Sequence, residues 1–296
     1  MRIVVTGREG QVARSLAELA REGAVELVAV GRPELDLAGP PDRIIAALEN
    51  ARPDVIVSAA AYTQVDRAES EPEVAFVVNE GGARAVAQAA RRLGVPVIHL
   101  STDYVFDGLK ASPYVEDDPT RPTGAYGASK VAGEEAVLAE QPNSAVLRTA
   151  WIYSPFGANF VRTMLRLAGD RDEIGVVADQ RGNPTSALDI ANGVLRVAEN
   201  LVEKSDSDLR GVFHMTAAGE ASWAEFAEAI FAASAGRSGP SAQVRPIGTS
   251  DYPTPARRPA NSRLDSGKLA RIHGVSLPEW HASLNKVVSR LVGPGS

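Results

Sequence analysis

The sequence predicts an α/β protein built around a doubly wound parallel sheet. Three observations carry that expectation. Short β-rich apolar runs alternate with Ala-, Leu- and Arg-rich helical stretches through the first half of the chain. The first of these runs ends directly in a glycine turn that opens a helix. No stretch approaches the roughly 18 apolar residues of a membrane helix, so the apolar runs must pair with one another. Strand–helix alternation of this kind gives βαβ units with right-handed crossovers, and ligands bind such sheets outside the carboxyl ends of the strands.

Residues 2–6 form the first strand, and Gly7-Arg8-Glu9-Gly10-Gln11-Val12-Ala13 follows it into a helix over 10–21. Gly7 permits the tight turn. Gly10 lets backbone amides at the helix start approach a pyrophosphate, and the small Ala13 lets helix and strand pack closely. A second strand over 25–30 ends in Val30-Gly31-Arg32, with no acidic residue at its tip. An acidic residue there would bind the ribose 2′-hydroxyl of NAD, whereas a nearby arginine accommodates a 2′-phosphate. Arg32 therefore tilts the cofactor toward NADPH and leaves NADH open. Asp36 and Leu37 could flank the adenine; the competing reading makes Arg32 and Asp36 solvated loop charges.

A helix over 41–51, a strand over 54–59, a helix over 72–93 and a strand over 97–101 continue the alternation. The last of these runs into Ser101-Thr102-Asp103. A helix over 126–139 then precedes a strand over 145–149. The 126–139 helix opens with Tyr126-Gly-Ala-Ser-Lys130, whose i,i+4 spacing puts a phenol and an ammonium on one helix face. A nearby cation stabilises a tyrosinate, so Lys130 is expected to lower the Tyr126 pKa and suit it to proton transfer.

The alternation fades after residue 153. A helix over 159–167, a turn-rich stretch over 179–185, a long helix over 188–201 and a polar surface linker over 204–208 follow. Residues 212–215 read as a return to the sheet. Ser222-Trp223-Ala224-Glu225 has capping-box spacing and starts a helix to 232. Residues 235–239 and 252–259 read as loops from their Gly and Pro content. The expected division is a nucleotide-binding Rossmann-type domain over 1–153, with its return strand near 212–215, and a mainly substrate-binding smaller C-terminal lobe over 154–296.

Composition narrows the function classes. With 296 residues and 44% hydrophobic content the chain can bury a sizeable core. Its net charge of −6 argues against nucleic-acid and anionic-membrane partners. The absence of cysteine excludes disulfides, thiolate metal sites and a cysteine nucleophile, and fits a reducing, cytoplasmic setting. His99 and His214 sit in strands and read as core histidines, while His273 and His281 are isolated, so no metal site is expected. Asp117-Asp118 and Glu134-Glu135 read as surface charge, and Trp223 and Phe226 as core.

Taken together, the glycine turn and the Thr102–Tyr126–Lys130 set resemble the extended short-chain dehydrogenase/reductase superfamily. Within it the chain is similar to the dTDP-4-dehydrorhamnose reductase family. That likeness rests on several unusual strings in fixed order. They are residues 59–69, Val78-Asn79-Glu80-Gly81, residues 101–108, residues 148–153, Asp179-Gln180-Arg181-Gly182-Asn183-Pro184-Thr185, and Arg258-Pro259-Ala260-Asn261-Ser262. The resemblance implies reduction of a C4 ketone on a dTDP-linked 4-keto-6-deoxy sugar, with Tyr126 protonating the developing alkoxide. It makes Lys130 the residue that holds the nicotinamide ribose, and Thr102 a hydrogen-bond partner of the ketone oxygen. Asp103 and Trp151 map to sugar contacts. Gly10, Gln11, Val12, Asp36, Leu37, Ala59, Ala60 and Thr63 map to cofactor contacts, beside Gly7 and Arg32.

Some relatives dimerise through a carboxylate-bound Mg²⁺ that uses a glutamate near the start of the first helix. Here that position is Ser15, which puts the metal in doubt and leaves a homodimer open. The competing readings are another sugar-nucleotide reductase, epimerase or dehydratase of the superfamily, and a non-catalytic reductase-like regulatory subunit. The string match argues against the first group, and the presence of Thr102, Tyr126 and Lys130 against the second.

Overall fold

The first half of the chain alternates strand and helix: β1 (Arg2–Thr6), α1 (Gln11–Glu22), β2 (Glu26–Val30), α2 (Pro41–Ala51), β3 (Val55–Ser58), α3 (Val65–Ala68), α4 (Pro72–Phe76), α5 (Ala83–Leu93), β4 (Val97–Thr102), α6 (Ala125–Glu140) and β5 (Ser144–Thr149). The second half holds β6 (Ile152–Tyr153), α7 (Phe160–Ala168), β7 (Glu173–Val177), β8 (Arg181–Gly182), β9 (Thr185–Ser186), α8 (Ala187–Glu203), β10 (Gly211–His214), β11 (Ala217–Ala218), β12 (Ala221–Ser222), α9 (Trp223–Ala235), β13 (Gln243–Ile247), α10 (Gly267–His273), β14 (Leu277–Glu279) and α11 (Trp280–Val292). This computed structural model describes residues 1–23 and 25–293.

Six strands join in the order β10-β5-β4-β3-β1-β2, and every pairing is parallel. β3, β4 and β5 are buried along their whole length, as strands covered on both faces must be. One face packs on α1 and α8 through Val12, Leu16, Ile190 and Val194. The other packs on α2 and α5 through Ile44, Leu48 and Val86. A separate apolar cluster joins α7, α9 and α11 through Leu165, Phe226, Ile230 and Leu284. The return strand predicted near 212–215 is β10, at the sheet edge.

The helix expected over 72–93 is interrupted: Val77–Gly82 is π-helical between α4 and α5. A π segment inserts one residue per turn and commonly marks a functional site. Here it accommodates close packing, because a Cβ on Gly82 would lie 2.7 Å from the Leu37 Cβ. It also turns Asn79 inward, where its side chain is 2% exposed. The capping box at Ser222 is present, with Glu225 answering the Ser222 amide, and α9 runs past 232 to Ala235. α10, α11 and β13 form where no element was expected.

Candidate active site

The carboxyl end of β1 supplies the cradle. Gly7 takes φ +88°, a backbone conformation that glycine alone adopts cheaply, and its amide donates to Val30 O at 2.7 Å. Gly10 caps α1 without any side-chain hydrogen bond, and a Cβ there would meet nothing within 4 Å. An uncapped helix start with open space before it fits a pyrophosphate. Val12 and Ala13 are buried in the α1–sheet contact. The Thr6 hydroxyl accepts from the amides of both Ala59 and Ala60 at 3.0 Å, so β1 fixes the loop after β3. Thr63 is exposed a few residues on.

Arg32 is exposed at the end of β2, and a second arginine that sequence reasoning passed over joins it. Arg8 donates to Ala29 O and Arg32 O and pairs with Glu34 at 2.9 Å. Asp36 accepts from the Ala38 amide, whereas Leu37 is buried against Gly82 and offers the cleft mainly backbone. Gln11 faces the second half of the chain: its side chain accepts from Ser154 at 2.7 Å and from Asn159 at 3.1 Å.

Thr102, Asp103, Tyr126 and Lys130 meet where β4 ends against the start of α6. The approach is close because Gly127 carries no side chain: a Cβ there would lie 2.2 Å from Tyr104 O. Thr102 donates to Asp103 at 3.0 Å and lies beside the Tyr126 hydroxyl. Burial pushes the Tyr126 phenol above its ordinary range, and the neighbouring Thr102 hydroxyl opposes that shift. This corrects the expectation that Lys130 depresses it. The Lys130 ammonium turns into the helix–sheet contact instead, donating to Leu100 O at 2.8 Å and meeting His99 Nε2 at 3.2 Å. Desolvation pulls Lys130 down to about 8, against an upward pull from Glu134.

Two acidic groups of the 59–69 string brace this corner, in roles that the string itself did not assign. Glu69 accepts from the Ala125 amide at 2.8 Å and so caps α6, the helix that carries Tyr126 and Lys130. Asp66 holds Arg258 at 2.6 Å, and Arg258 also donates to the Tyr104 hydroxyl at 2.9 Å. The Tyr104 ring meets that of Tyr126 edge-on at 5.6 Å. Asn79 of the π segment accepts from the Tyr62 amide and donates to Ser129, tying the loop after β3 to α6.

Glu134 is not surface charge. It lies on α6 two turns beyond Tyr126, and its side chain is 4% exposed. Arg148 on β5 binds both of its oxygens, at 2.9 Å and 2.6 Å, and Ser101 donates to it at 2.5 Å. An i, i+4, i+8 reading of Tyr126, Lys130 and Glu134 would have placed all three on the buried face.

Burial raises Asp103 to about 6, opposed by Ser262 and by the hydrogen bond from Thr102, and its Oδ2 has no partner among the described residues. Trp151 takes φ +49°, strained for a bulky residue, and its indole stacks on Trp223 at 3.5 Å. Trp223 is thus half-buried beside the site, not simple core. Gly182 allows this placement, since a Cβ there would lie 2.4 Å from the Trp151 ring. A cavity of about 520 Å³ is lined by Leu109, Asp179, Tyr252 and Arg257, and also by Arg258, the residue that bonds the Tyr104 hydroxyl. Ser15 donates to Gln11 O inside α1, and no acidic or histidine cluster able to hold a metal occurs among the described residues. No helix among them is long and apolar enough to cross a membrane.

A family model described as RmlD substrate binding domain matches residues 1–292. The chain belongs to that family. Among RmlD-family relatives, the chain is 52% identical over 295 residues to the dTDP-4-dehydrorhamnose reductase of Sinorhizobium fredii, covering all of this chain and 99% of that one. The solved dTDP-4-dehydrorhamnose reductase from Clostridium acetobutylicum superposes with a TM-score of 0.90 at 35% identity, covering 98% of this chain and 99% of that one. The Bacillus anthracis enzyme, solved in complex with NADP, superposes at 0.89 and 34% identity, covering 97% and 98%. The Rossmann-type architecture expected from the sequence is therefore that of the family.

Proposed function

We propose that this chain reduces the C4 ketone of dTDP-4-dehydro-L-rhamnose with NADPH, giving dTDP-L-rhamnose. The observation that carries the reading is the meeting of Thr102, at the carboxyl end of β4, with Tyr126, in the first turn of α6, with Lys130 buried one helical turn behind it. The nicotinamide, when bound, supplies the hydride. Thr102 holds the ketone oxygen, and Tyr126 transfers its proton to that oxygen as the alkoxide forms. Lys130 keeps one ammonium hydrogen for the nicotinamide ribose. Asp103 and Trp151 face the sugar, and the 520 Å³ cavity receives the nucleotide end. In this reading residues 1–153 form the cofactor domain and 154–296 mainly the substrate lobe, working in the cytoplasm.

An NADPH-consumption assay across nucleotide-linked 4-keto sugars tests this directly. Turnover is expected with dTDP-4-dehydro-L-rhamnose, and none with that sugar would overturn the assignment. Arg32 and Arg8 at the end of β2 support the NADPH preference. Arg32→Ala is expected to bring kcat/KM for NADPH and NADH together, by roughly tenfold for one lost charge-assisted contact. Unchanged discrimination would remove Arg32 from the 2′-phosphate site.

A further inference from the structure

We propose that His99 is a positioning residue for Lys130, a neutral imidazole acceptor that fixes the catalytic ammonium through a chain anchored on Ser58. This rests on the assignment of Lys130 to the nicotinamide ribose. The hydrogen-bond inventory compels the direction of the chain. An ammonium has three donors and no acceptor. One hydrogen goes to Leu100 O at 2.8 Å, and a second can go only to a lone pair on His99 Nε2 at 3.2 Å. Nε2 therefore carries no proton, and Nδ1 must carry it, donating to Ser58 Oγ at 3.1 Å. Among the described residues the ammonium has no further partner, so one hydrogen remains for the cofactor.

The surroundings keep this arrangement single-valued. His99 is 1% exposed and Ser58 2%, so neither ring nitrogen has water as an alternative partner. Burial and the Lys130 charge both hold the imidazole well below its ordinary pKa. The carboxylate nearest Lys130 on its own helix is Glu134, and Arg148 from β5 occupies both its oxygens. Asn79 from the π segment bonds Ser129 and Tyr62, and Asp103 bonds Thr102. Facing β4, the titratable group in hydrogen-bond contact with Lys130 is His99. Ser58 is also the residue before Ala59, so the loop proposed to touch the cofactor and the lysine proposed to hold it share one buried chain.

The test follows the lysine itself. The chain has five lysines, so side-chain ¹³C labelling of the cofactor-free protein gives few signals and resolves the Lys130 titration. That titration is expected near 8. In His99→Phe it falls by about one pH unit or more, because a hydrogen bond to the charged form is lost. NADPH, followed by fluorescence, then binds roughly tenfold more weakly at pH 8. His99→Gln, which keeps an acceptor, restores both to within about threefold. Ser58→Ala, which changes almost no volume, gives an intermediate shift and serves if the phenylalanine variant does not fold.

An unmoved Lys130 titration in His99→Phe or Ser58→Ala overturns the proposal, as does equal impairment in His99→Phe and His99→Gln. Neither readout needs the sugar. Failure to turn over dTDP-4-dehydro-L-rhamnose would count against the proposed reaction alone.

Discussion

Tyr126→Phe is expected to lower kcat by about 10²- to 10⁴-fold, the usual contribution of a positioned general acid. NADPH and nucleotide-sugar affinities should stay within a few-fold. Burial raises the phenol's pKa above the ordinary tyrosine range, so the hydroxyl stays protonated throughout the neutral region and is available to donate. Thr102 opposes that rise. Phenylalanine keeps the ring, and with it the edge-on contact to Tyr104, so packing is preserved while the proton is removed. Steady-state NADPH oxidation with separately measured dissociation constants checks this. A variant retaining more than about a tenth of wild-type kcat would take Tyr126 out of the proton-donor role.

Glu134→Ala is expected to destabilise the fold by about 3–5 kcal/mol, the usual cost of leaving one partner of a buried ion pair uncompensated. Arg148 is 4% exposed, and its Nη1 already lacks a hydrogen-bond partner among the described residues. Removing Glu134 would strip its remaining carboxylate bonds and orphan Ser101 as well. Against a total stability of roughly 5–15 kcal/mol such a loss is severe. Replacing both partners, Glu134→Leu with Arg148→Met, should recover most of it, since an apolar pair carries no desolvation cost. Urea midpoints at matched m-values decide, and a single-variant loss under about 1 kcal/mol would mean that water reaches the pair.

The parallel sheet and the glycine turn were legible because they follow from patterns of a few residues: continuous apolar strands, and glycines where backbone must bend or stay bare. Tyr126, Lys130 and Thr102 were legible for the same reason, each placed by its local element. What was not legible is set by long-range contact. Nothing local says that Glu69 will cap a helix 56 residues away, or that His99 faces Lys130 instead of an apolar neighbour. In the π segment at Val77–Gly82, Gly82 lies against Leu37, a contact between distant parts of the chain. The error over Tyr126 has the same origin: spacing placed Lys130 on the correct face, and only packing shows that its ammonium is spent on β4.

The Asp66–Arg258 pair bears on attempts to redesign the enzyme. The segment lining the cavity from Tyr252 to Ala260 is the natural one to exchange for a different nucleotide or sugar. It is also pinned at Asp66 through both Arg258 and the Ala256 amide, and through Tyr104 it leans on the Tyr126 ring. A loop transplanted from a relative therefore brings half of a two-part lock. Grafts that keep an arginine at 258 beside Asp66, or import the donor's own matching pair, should retain turnover, and grafts that separate the two should lose it before selectivity can be measured.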